Sequence, residues 1–545
     1  MGRLETCRDR VAGLWRHRLD AGWLSAAGRR PCDPRPAYRR ARAGTAGVIP
    51  YLAERHRLAI TGVLLAVFVF GCFVFGVLSV RRTTEGVVLT GALFCVVVYW
   101  VKPEGMVAVA LFGAFAALPQ ALQVGKVIGP VTIYVYQVAA VLAICYLLPT
   151  VRPRFRDCLL PGILVLTVVS STITGFAAGH MAKVVMREST AMLEMVIGFV
   201  LALLIVYGNH VTWSIRVMVV TLWFSAGMAI ASSLHAIRLA GRAESLENTT
   251  GAAQALRFIL STQTPATAVL SALVAAAIVG RARPVMYLAL GPPAAIISLL
   301  SFSRNTLIAM AVAGGVAFVA SLSWATVRRT VTAAALGAAV IGVTVSGLLF
   351  VLQQSKAAAW LGDQFAAFSQ RVLGGVSSSA LAVDVSAQDR LREINLLKET
   401  IAQAPVFGHG LGYPYQPPDG DDEFHSTFHP AYSEQFYLWW LAKAGAVGMA
   451  VFALFALTPV ILALRCASAP ARISAAVAAG LLAVSAVWPL PEMPMDALGL
   501  GLALGSAMGF AGLRGRAQDT SQNHVNCGPE LVATQLGSIP LKGSR

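Results

Sequence analysis

The sequence predicts an all-α polytopic membrane protein with about 12–14 transmembrane helices and one large extracytoplasmic loop that contains short helices. Of the 545 residues, 57% are hydrophobic and only 13% are charged, whereas soluble domains carry roughly 25% charged residues. The apolar residues form continuous runs and not alternating ones. Continuous runs favour helices over a β-barrel, because isolated strands in lipid leave backbone polar groups unpaired.

The apolar runs divide the chain into segments. We expect residues 1–57 to be a basic cytoplasmic tail that is disordered or lies on the anionic inner leaflet. The first apolar run follows this tail and is interpreted as an uncleaved signal anchor. Transmembrane helices are predicted over 58–352, a large polar loop over 353–434, three more transmembrane helices over 435–513, and a cytoplasmic tail over 514–545.

Positive charge sets the predicted orientation. The net charge of +17 is concentrated in the first tail and in short loops, which is typical of cytoplasmic anchoring and not of a groove for nucleic acid. If the spans alternate from a cytoplasmic tail, both termini lie inside and residues 353–434 lie outside. Five inside loops then carry arginines: Arg152, Arg154, Arg156, Arg281, Arg283, Arg328, Arg329, Arg465, Arg472, Arg514 and Arg516.

Cysteines and acidic runs point to no metal. The eight cysteines include no CxxC pair, so neither a zinc site nor a disulfide framework is expected. The acidic run at 421–423 could hold a cation, but a solvated surface run is the commoner explanation.

Arg304 lies on the predicted outer side, in the short turn "SFSRN" between two apolar runs. Ionisable groups at this depth are usually functional. The alternative is an ordinary interfacial arginine whose side chain extends to the headgroups. Ser303 and Asn305 beside it favour a hydrogen-bonded pocket.

A second arginine lies in the polar loop. The stretch "SAQDRLREINLLKETIAQA" at 386–404 predicts a helix that Pro405 ends. On a helical wheel, Arg390 shares a stripe with Leu397 and Ile401, whereas Arg392 points the other way. An arginine on a packed face needs an anionic partner, which is either a ligand or a protein carboxylate.

The segment from His409 to Glu434 combines proton-transfer groups with aromatic side chains. His425, His429 and Glu434 are suited to moving a proton, although each could be a solvated loop residue. His409 lies in "VFGHGLG", whose glycines predict a tight turn and only weakly a phosphate loop. Tyr432 belongs to an aromatic set that fits either an interfacial belt or a platform for stacking sugars.

Three motifs carry a resemblance to a known family. They are "SFSRNTLIAMAVAGG", Arg390 fifteen residues before Pro405 in "APVFGHGLG", and "SEQFYLWWLAKAGAVGMAVF". Together they resemble the O-antigen ligase and O-antigen polymerase superfamily, mainly over residues 300–450. The family's histidine, eleven residues before a GxxG, falls on Glu434, because Gly445 and Gly448 supply the GxxG. A glutamate therefore stands where the family has a histidine, and His429 is its rival as the base.

The resemblance implies a function. It implies an inverting glycosyltransferase, needing no metal or cofactor, that polymerises or ligates oligosaccharides from a polyprenyl-diphosphate carrier such as undecaprenyl diphosphate. The reaction would occur at the extracytoplasmic face of the bacterial inner membrane, in O-antigen-like or exopolysaccharide synthesis. Implied partners are the lipid-linked oligosaccharide, a glycan or lipid acceptor, the bilayer and other polysaccharide-assembly proteins. The alternative is a transporter or flippase of lipid-linked or polysaccharide substrates.

Roles follow residue by residue from the resemblance and the predicted sidedness. Arg304 and Arg390 would bind the developing phosphate charge, and Glu434 or His429 would accept the proton of the attacking hydroxyl. Secondary candidates are expected to bind substrate: Arg242, Arg257, His409, His425 and Tyr432.

Overall fold

The structure is a computed structural model. It describes residues 83–119, 126–128, 131–234, 237–239, 242–245, 256–281, 283–352, 362, 364, 368, 385–417 and 429–526. The predicted first span, about half of the polar loop, the amino-terminal tail and residues 527–545 fall outside these residues, so the proposed segment boundaries there stay predictions. The last helix continues to Asn526, past the boundary at 513 that the sequence predicted for the final span.

The described residues form fourteen α-helices. The first ten are α1 Thr83–Val101, α2 Gly105–Phe115, α3 Val135–Val151, α4 Phe155–Ala177, α5 Ala182–Tyr207, α6 Val211–Ser233, α7 Gln263–Val279, α8 Pro284–Leu300, α9 Arg304–Ala320 and α10 Trp324–Leu352. The last four are α11 Val385–Gln403, α12 Phe436–Arg465, α13 Ala469–Val484 and α14 Pro494–Asn526. A 3-10 turn, Leu490–Glu492, precedes α14.

Hydropathy and length identify the spans. Five helices are long and apolar enough to cross a membrane: α4, α5, α6, α12 and the Pro494–Leu513 part of α14. Seven shorter apolar helices of 10–17 residues accompany them. The fold class predicted from the sequence, an all-α polytopic membrane protein, is confirmed. Within the described residues, sheet is limited to two antiparallel hairpins, β1 Lys126–Ile128 with β2 Val131–Ile133 and β3 Arg242–Ser245 with β4 Leu256–Ile259.

Helices α5 and α14 pack with their backbones in direct contact. A Cβ on Gly501 would lie 2.0 Å from the carbonyl oxygen of Met195, and one on Gly505 would lie 2.1 Å from that of Phe199. Small residues allow this approach, which supplies dispersion contacts where lipid removes the hydrophobic driving force between helices. Helices α3 and α4 pack on α5, and α12 and α13 pack on α14.

The arginine-bearing loops collect at one end of the bundle. At this end Tyr207, on the last turn of α5, bonds Asp157 on the first turn of α4 with an O–O distance of 3.0 Å. Cys466, after α12, contacts the carbonyl of Ala511 near the end of the apolar part of α14, and Arg329 lies against Gly280. This clustering is the arrangement that charge-based orientation requires.

The opposite end is polar and contains the starts of α7, α9, α12 and α14. Thr267 and Thr306 share a hydrogen bond of 2.9 Å between α7 and α9. Thr264 donates to Asp496 over 2.6 Å between α7 and α14. Arg304 at the start of α9, Arg390 on α11 and Glu434 just before α12 lie toward this end.

Helix α12 is broken at Gly445, whose φ of 66° and ψ of −173° are not helical. The segment 405–410 fits against the break and pairs with the exposed backbone. His409 N donates to Ala442 O over 3.0 Å, and Gly410 N donates to Lys443 O over 2.9 Å. Ala446 N donates in turn to Pro405 O over 2.9 Å. Irregular backbone within an apolar helix is tolerated where protein groups satisfy it, and the predicted tight turn is confirmed.

Candidate functional site

The centre of the candidate site is an ion pair between α11 and the residue two positions before α12. Arg390 Nε donates to Glu434 Oε2 over 2.7 Å, and its terminal nitrogen lies 2.6 Å from the same oxygen. The side chains are 38% and 16% exposed, so the pair is partly open. Glu434 Oε1 makes no hydrogen bond with another described residue, which leaves one carboxylate oxygen available.

The helix carrying Arg390 confirms the wheel drawn from the sequence. α11 covers the predicted range, Leu397 is fully buried, and Ile401 packs on the core. Arg392 is exposed, whereas Arg390 sits at the edge of the packed face. Of the two partners that the sequence left open, the structure supplies the protein carboxylate, Glu434.

A buried carboxylate lies one helical turn beyond Arg390. Glu393 Oε1 accepts hydrogen bonds from the Tyr415 hydroxyl over 2.9 Å and from the Glu434 amide over 3.0 Å. Burial raises the pKa of Glu393, and hydrogen bonds from Ser433, Tyr415 and the Glu434 amide oppose that shift. Sequence reasoning missed Glu393, although it lies on the same wheel stripe as Leu397.

His429 precedes Glu434 in the loop before α12, and its ring contacts the backbone of this loop. Nδ1 accepts from the Ala431 amide over 3.2 Å. In the neutral ring Nε2 then carries the proton, so this arrangement offers no open lone pair for a base. His425, the other histidine of this segment, lies outside the described residues.

His409 and Tyr432 occupy supporting positions. His409 Nε2 donates to the Thr400 carbonyl over 3.0 Å, and the ring stacks on Tyr413 with centroids 4.1 Å apart. Both contacts fix the turn after α11. Tyr432 is buried among Val184 and Ala431, and its carbonyl accepts from the Tyr415 hydroxyl over 2.5 Å. The binding roles of both residues stay predictions.

The arginines of the earlier outer loop lie on a hairpin. Arg242 pairs with Ile259, and Arg257 pairs with Glu244, in the register of β3 and β4. The structure describes only their backbone, so their role in binding phosphate stays a prediction.

Arg304 begins α9 at the same polar end as the ion pair. Ser303 caps this helix by accepting from the Asn305 amide over 3.2 Å, and Phe302 before it has a φ of 45°. The hydrogen bonds of Thr267 with Thr306 and of Thr264 with Asp496 link the starts of α7, α9 and α14. The Ser433 amide lies 3.5 Å from Glu492 just before α14, which connects the residues before α12 to the same end. The structure thus places Arg304, Arg390 and Glu434 at one end of the bundle.

A second ion pair was missed entirely. Lys443, within α12, donates to Glu188 of α5 over 3.0 Å and to the Tyr413 carbonyl over 2.7 Å. Glu188 Oε2 accepts from the Gly412 amide over 2.6 Å. The two side chains are 0% and 1% exposed. A lysine inside an apolar run is itself a sequence signal of a buried partner or a site.

Glu492 is a further buried acid. It is 2% exposed, and its Oε1 has no hydrogen-bond partner among the described residues. Burial, together with the charge of Glu188, raises its pKa well above the ordinary 4.5. Within the described residues, no group of three or more His, Cys, Asp or Glu could hold a metal ion.

Residues 293–453 match the family model described as O-antigen ligase. The matched segment extends from α8 into α12 and includes Arg304, Arg390, Glu393 and Glu434. It confirms the resemblance drawn from the motifs. No curated protein matches the chain.

Proposed function

We propose that this multi-pass membrane protein, whose residues 293–453 match the O-antigen ligase family, transfers an oligosaccharide from a polyprenyl-diphosphate carrier to a hydroxyl acceptor. The observation that carries the proposal is the Arg390–Glu434 pair. In this pair an arginine, a side chain suited to binding phosphate, lies beside a carboxylate with one open oxygen at the polar end of an apolar bundle. Polymerisation and ligation share this chemistry and differ only in the acceptor.

The reaction balances as a single displacement with inversion. The acceptor oxygen attacks the anomeric carbon, and the bond from that carbon to the diphosphate oxygen breaks. The bonding electron pair leaves with the lipid diphosphate, while the hydroxyl proton passes to Glu434 Oε1. Arg304 and Arg390 stabilise the negative charge that develops on the leaving group.

Donor binding would also free the base. In the structure both contacts of Arg390 with Glu434 go to Oε2. A diphosphate carries more negative charge than one carboxylate and accepts two parallel guanidinium hydrogen bonds. It would therefore draw Arg390 away from Glu434 and leave the carboxylate free to accept a proton. Base activation would then follow donor binding.

The arrangement of the bundle suits an amphiphilic donor. Helices α9, α12 and α14 start at the same polar end, and helix N-termini favour anions. The carrier's hydrocarbon chain can remain in the bilayer beside the apolar helices while its diphosphate reaches this end. This placement supports a site at the membrane surface.

Sidedness completes the proposal. The polar end would face outward from a bacterial inner membrane, with both termini cytoplasmic, because the basic loops gather at the opposite end. Cysteine accessibility tests this orientation with Ser378→Cys in the polar loop and Ser468→Cys before α13. A membrane-impermeant reagent added outside should label only the first. Labelling of Ser468→Cys alone would reverse the orientation and remove the outward site.

The decisive experiment is reconstitution. Purified protein in lipid nanodiscs receives candidate polyprenyl-diphosphate oligosaccharides, and mass spectrometry follows both the glycan product and the released lipid diphosphate. Arg390→Ala and the matched Arg392→Ala provide the variant and its control. The anomeric configuration of the product tests inversion, and activity in chelator tests metal independence. Movement of intact donor across proteoliposomes without glycan transfer would favour the transporter alternative.

A further inference from the structure

Helix α11 contacts Glu434 at two points from one face. Arg390 binds its carboxylate, and Glu393, three residues later, accepts from its backbone amide over 3.0 Å. Residues three apart on a helix are neighbours on its surface. One turn of α11 therefore holds both the side chain and the backbone of Glu434.

Glu393 also connects this turn to two other segments. Its Oε1 accepts from Tyr415 over 2.9 Å, and the hydroxyl of Ser433 bonds its carboxylate. Ser433 Oγ in turn accepts from the Gln435 amide over 2.9 Å. Glu393 is 5% exposed, so water competes little for these donors. The carboxylate is the common acceptor of the loop before α12.

We propose that Glu393 is a positioning residue, which fixes the backbone of Glu434 so that its open oxygen stays directed toward the acceptor hydroxyl. The catalytic consequence rests on the proposed function, whereas the hydrogen bond to the Glu434 amide does not. Glu393 forms and breaks no bond in the reaction. Its donors already occupy it, and its burial keeps it from the substrate.

The length of the side chain, and not its charge, is what this role requires. An amide oxygen in Glu393→Gln can still accept from Glu434 N and Tyr415, and its NH₂ group can face Ser433 Oγ. Glu393→Asp keeps the charge but withdraws the carboxylate by one methylene. The two variants therefore separate geometry from charge, and neither leaves a large cavity.

The first measurement is independent of activity. Hydrogen–deuterium exchange of a peptide covering residues 431–437 reports the protection of the Glu434 amide in the full protein in nanodiscs. We expect Glu393→Asp to speed exchange at Glu434 at least tenfold and Glu393→Gln to leave it within about threefold of wild type. Glu399→Asp, on the exposed side of the same helix, is the matched control and should change nothing.

The second measurement is kinetic. We expect Glu393→Asp to lower kcat for glycan transfer about tenfold or more, because small misplacements of a reacting group cost rate, with KM for the lipid-linked donor within about threefold. Glu393→Gln should restore most of kcat.

Each outcome decides the proposal. The proposal is overturned if Glu393→Asp changes neither the exchange of the Glu434 amide nor kcat. It is also overturned if Glu393→Gln is inactive while its Glu434 amide stays protected, because that result assigns the role to the charge of Glu393. If wild type transfers no glycan but Glu393→Asp still exposes the Glu434 amide, the proposed function fails and the positioning contact stands.

Discussion

Two ion pairs among the described residues, Lys443–Glu188 and Arg390–Glu434, differ in almost every respect except charge. Lys443–Glu188 lies inside the bundle at 0% and 1% exposure, whereas Arg390–Glu434 lies at the polar end at 38% and 16%. In the buried pair, protein groups take both carboxylate oxygens and also the lysine. In the open pair, one carboxylate oxygen has no described partner.

The difference separates a structural contact from a chemical one. A buried pair is held by its surroundings, and removing one partner leaves an uncompensated charge. Here the buried pair links residues 412–413 to α5 and α12, and it thereby stabilises the protein structure next to the site. The open pair can exchange its partner for a ligand. Substitutions in the two pairs should therefore damage different properties.

The largest effect is expected from breaking the buried pair. Lys443→Met leaves Glu188 charged in an apolar interior and should cost about 3–5 kcal/mol of stability. We expect little monodisperse protein on size-exclusion chromatography. The double variant Lys443→Met with Glu188→Gln should recover much of the yield, because no charge stays buried. A stable Lys443→Met protein that folds normally but transfers no glycan would instead give this pair a chemical role.

Substitutions in the open pair should lower glycan transfer and leave the fold intact. Glu434→Gln removes the proposed proton acceptor, and general-base catalysis contributes about 10²–10⁴-fold, so glycan transfer should be nearly abolished. Glu434→His should retain some activity, because histidine is the residue that the family resemblance places here. Glycan transfer by His429→Ala is measured in the same assay, and membrane insertion is confirmed for every variant. Full activity in Glu434→Gln together with loss in His429→Ala would transfer the role of base to His429.

The cation of the open pair should also be needed for rate. In the proposed reaction Arg390→Ala would lose a charged contact to the leaving diphosphate, so it should slow transfer at least about a hundredfold. Arg392→Ala changes an exposed residue two positions away and should be mild. Initial rates with the same donor measure both. Equal losses in the two variants would mean that the packed face of α11 does not select the functional arginine.

The smallest effect is expected at Glu492, next to the buried pair. The folded protein raises the pKa of this carboxyl well above its ordinary 4.5, so the folded state holds the proton more tightly than the unfolded chain. Stability from this group is full below about pH 4.5 and is lost as pH rises through the folded-state pKa. Glu492→Gln should raise the unfolding temperature at pH 7 by a few degrees and flatten its pH dependence. A lower unfolding temperature at pH 7 would contradict this account.

Local pattern was enough to predict several elements. Continuous apolar runs predicted the polytopic all-α class, and Pro405 with the following glycines predicted the turn after α11. Helical periodicity placed Leu397 and Ile401 on the packed face of α11 and Arg392 on the exposed face. Each of these properties depends on residues a few positions apart, so the order of the amino acids is sufficient to encode it.

Partners could be assigned only after folding. Periodicity showed that Arg390 faces other protein atoms but not that Glu434, 44 residues later, is its partner. Lys443 and Glu188 are 255 residues apart, and nothing in either local stretch identifies the other. The sequence does not distinguish Glu393 from any other acid on an amphipathic helix. Its role depends on the Glu434 amide, which the loop before α12 places next to it. Such contacts depend on how helices distant in the chain pack together, and that packing is a property of the tertiary structure.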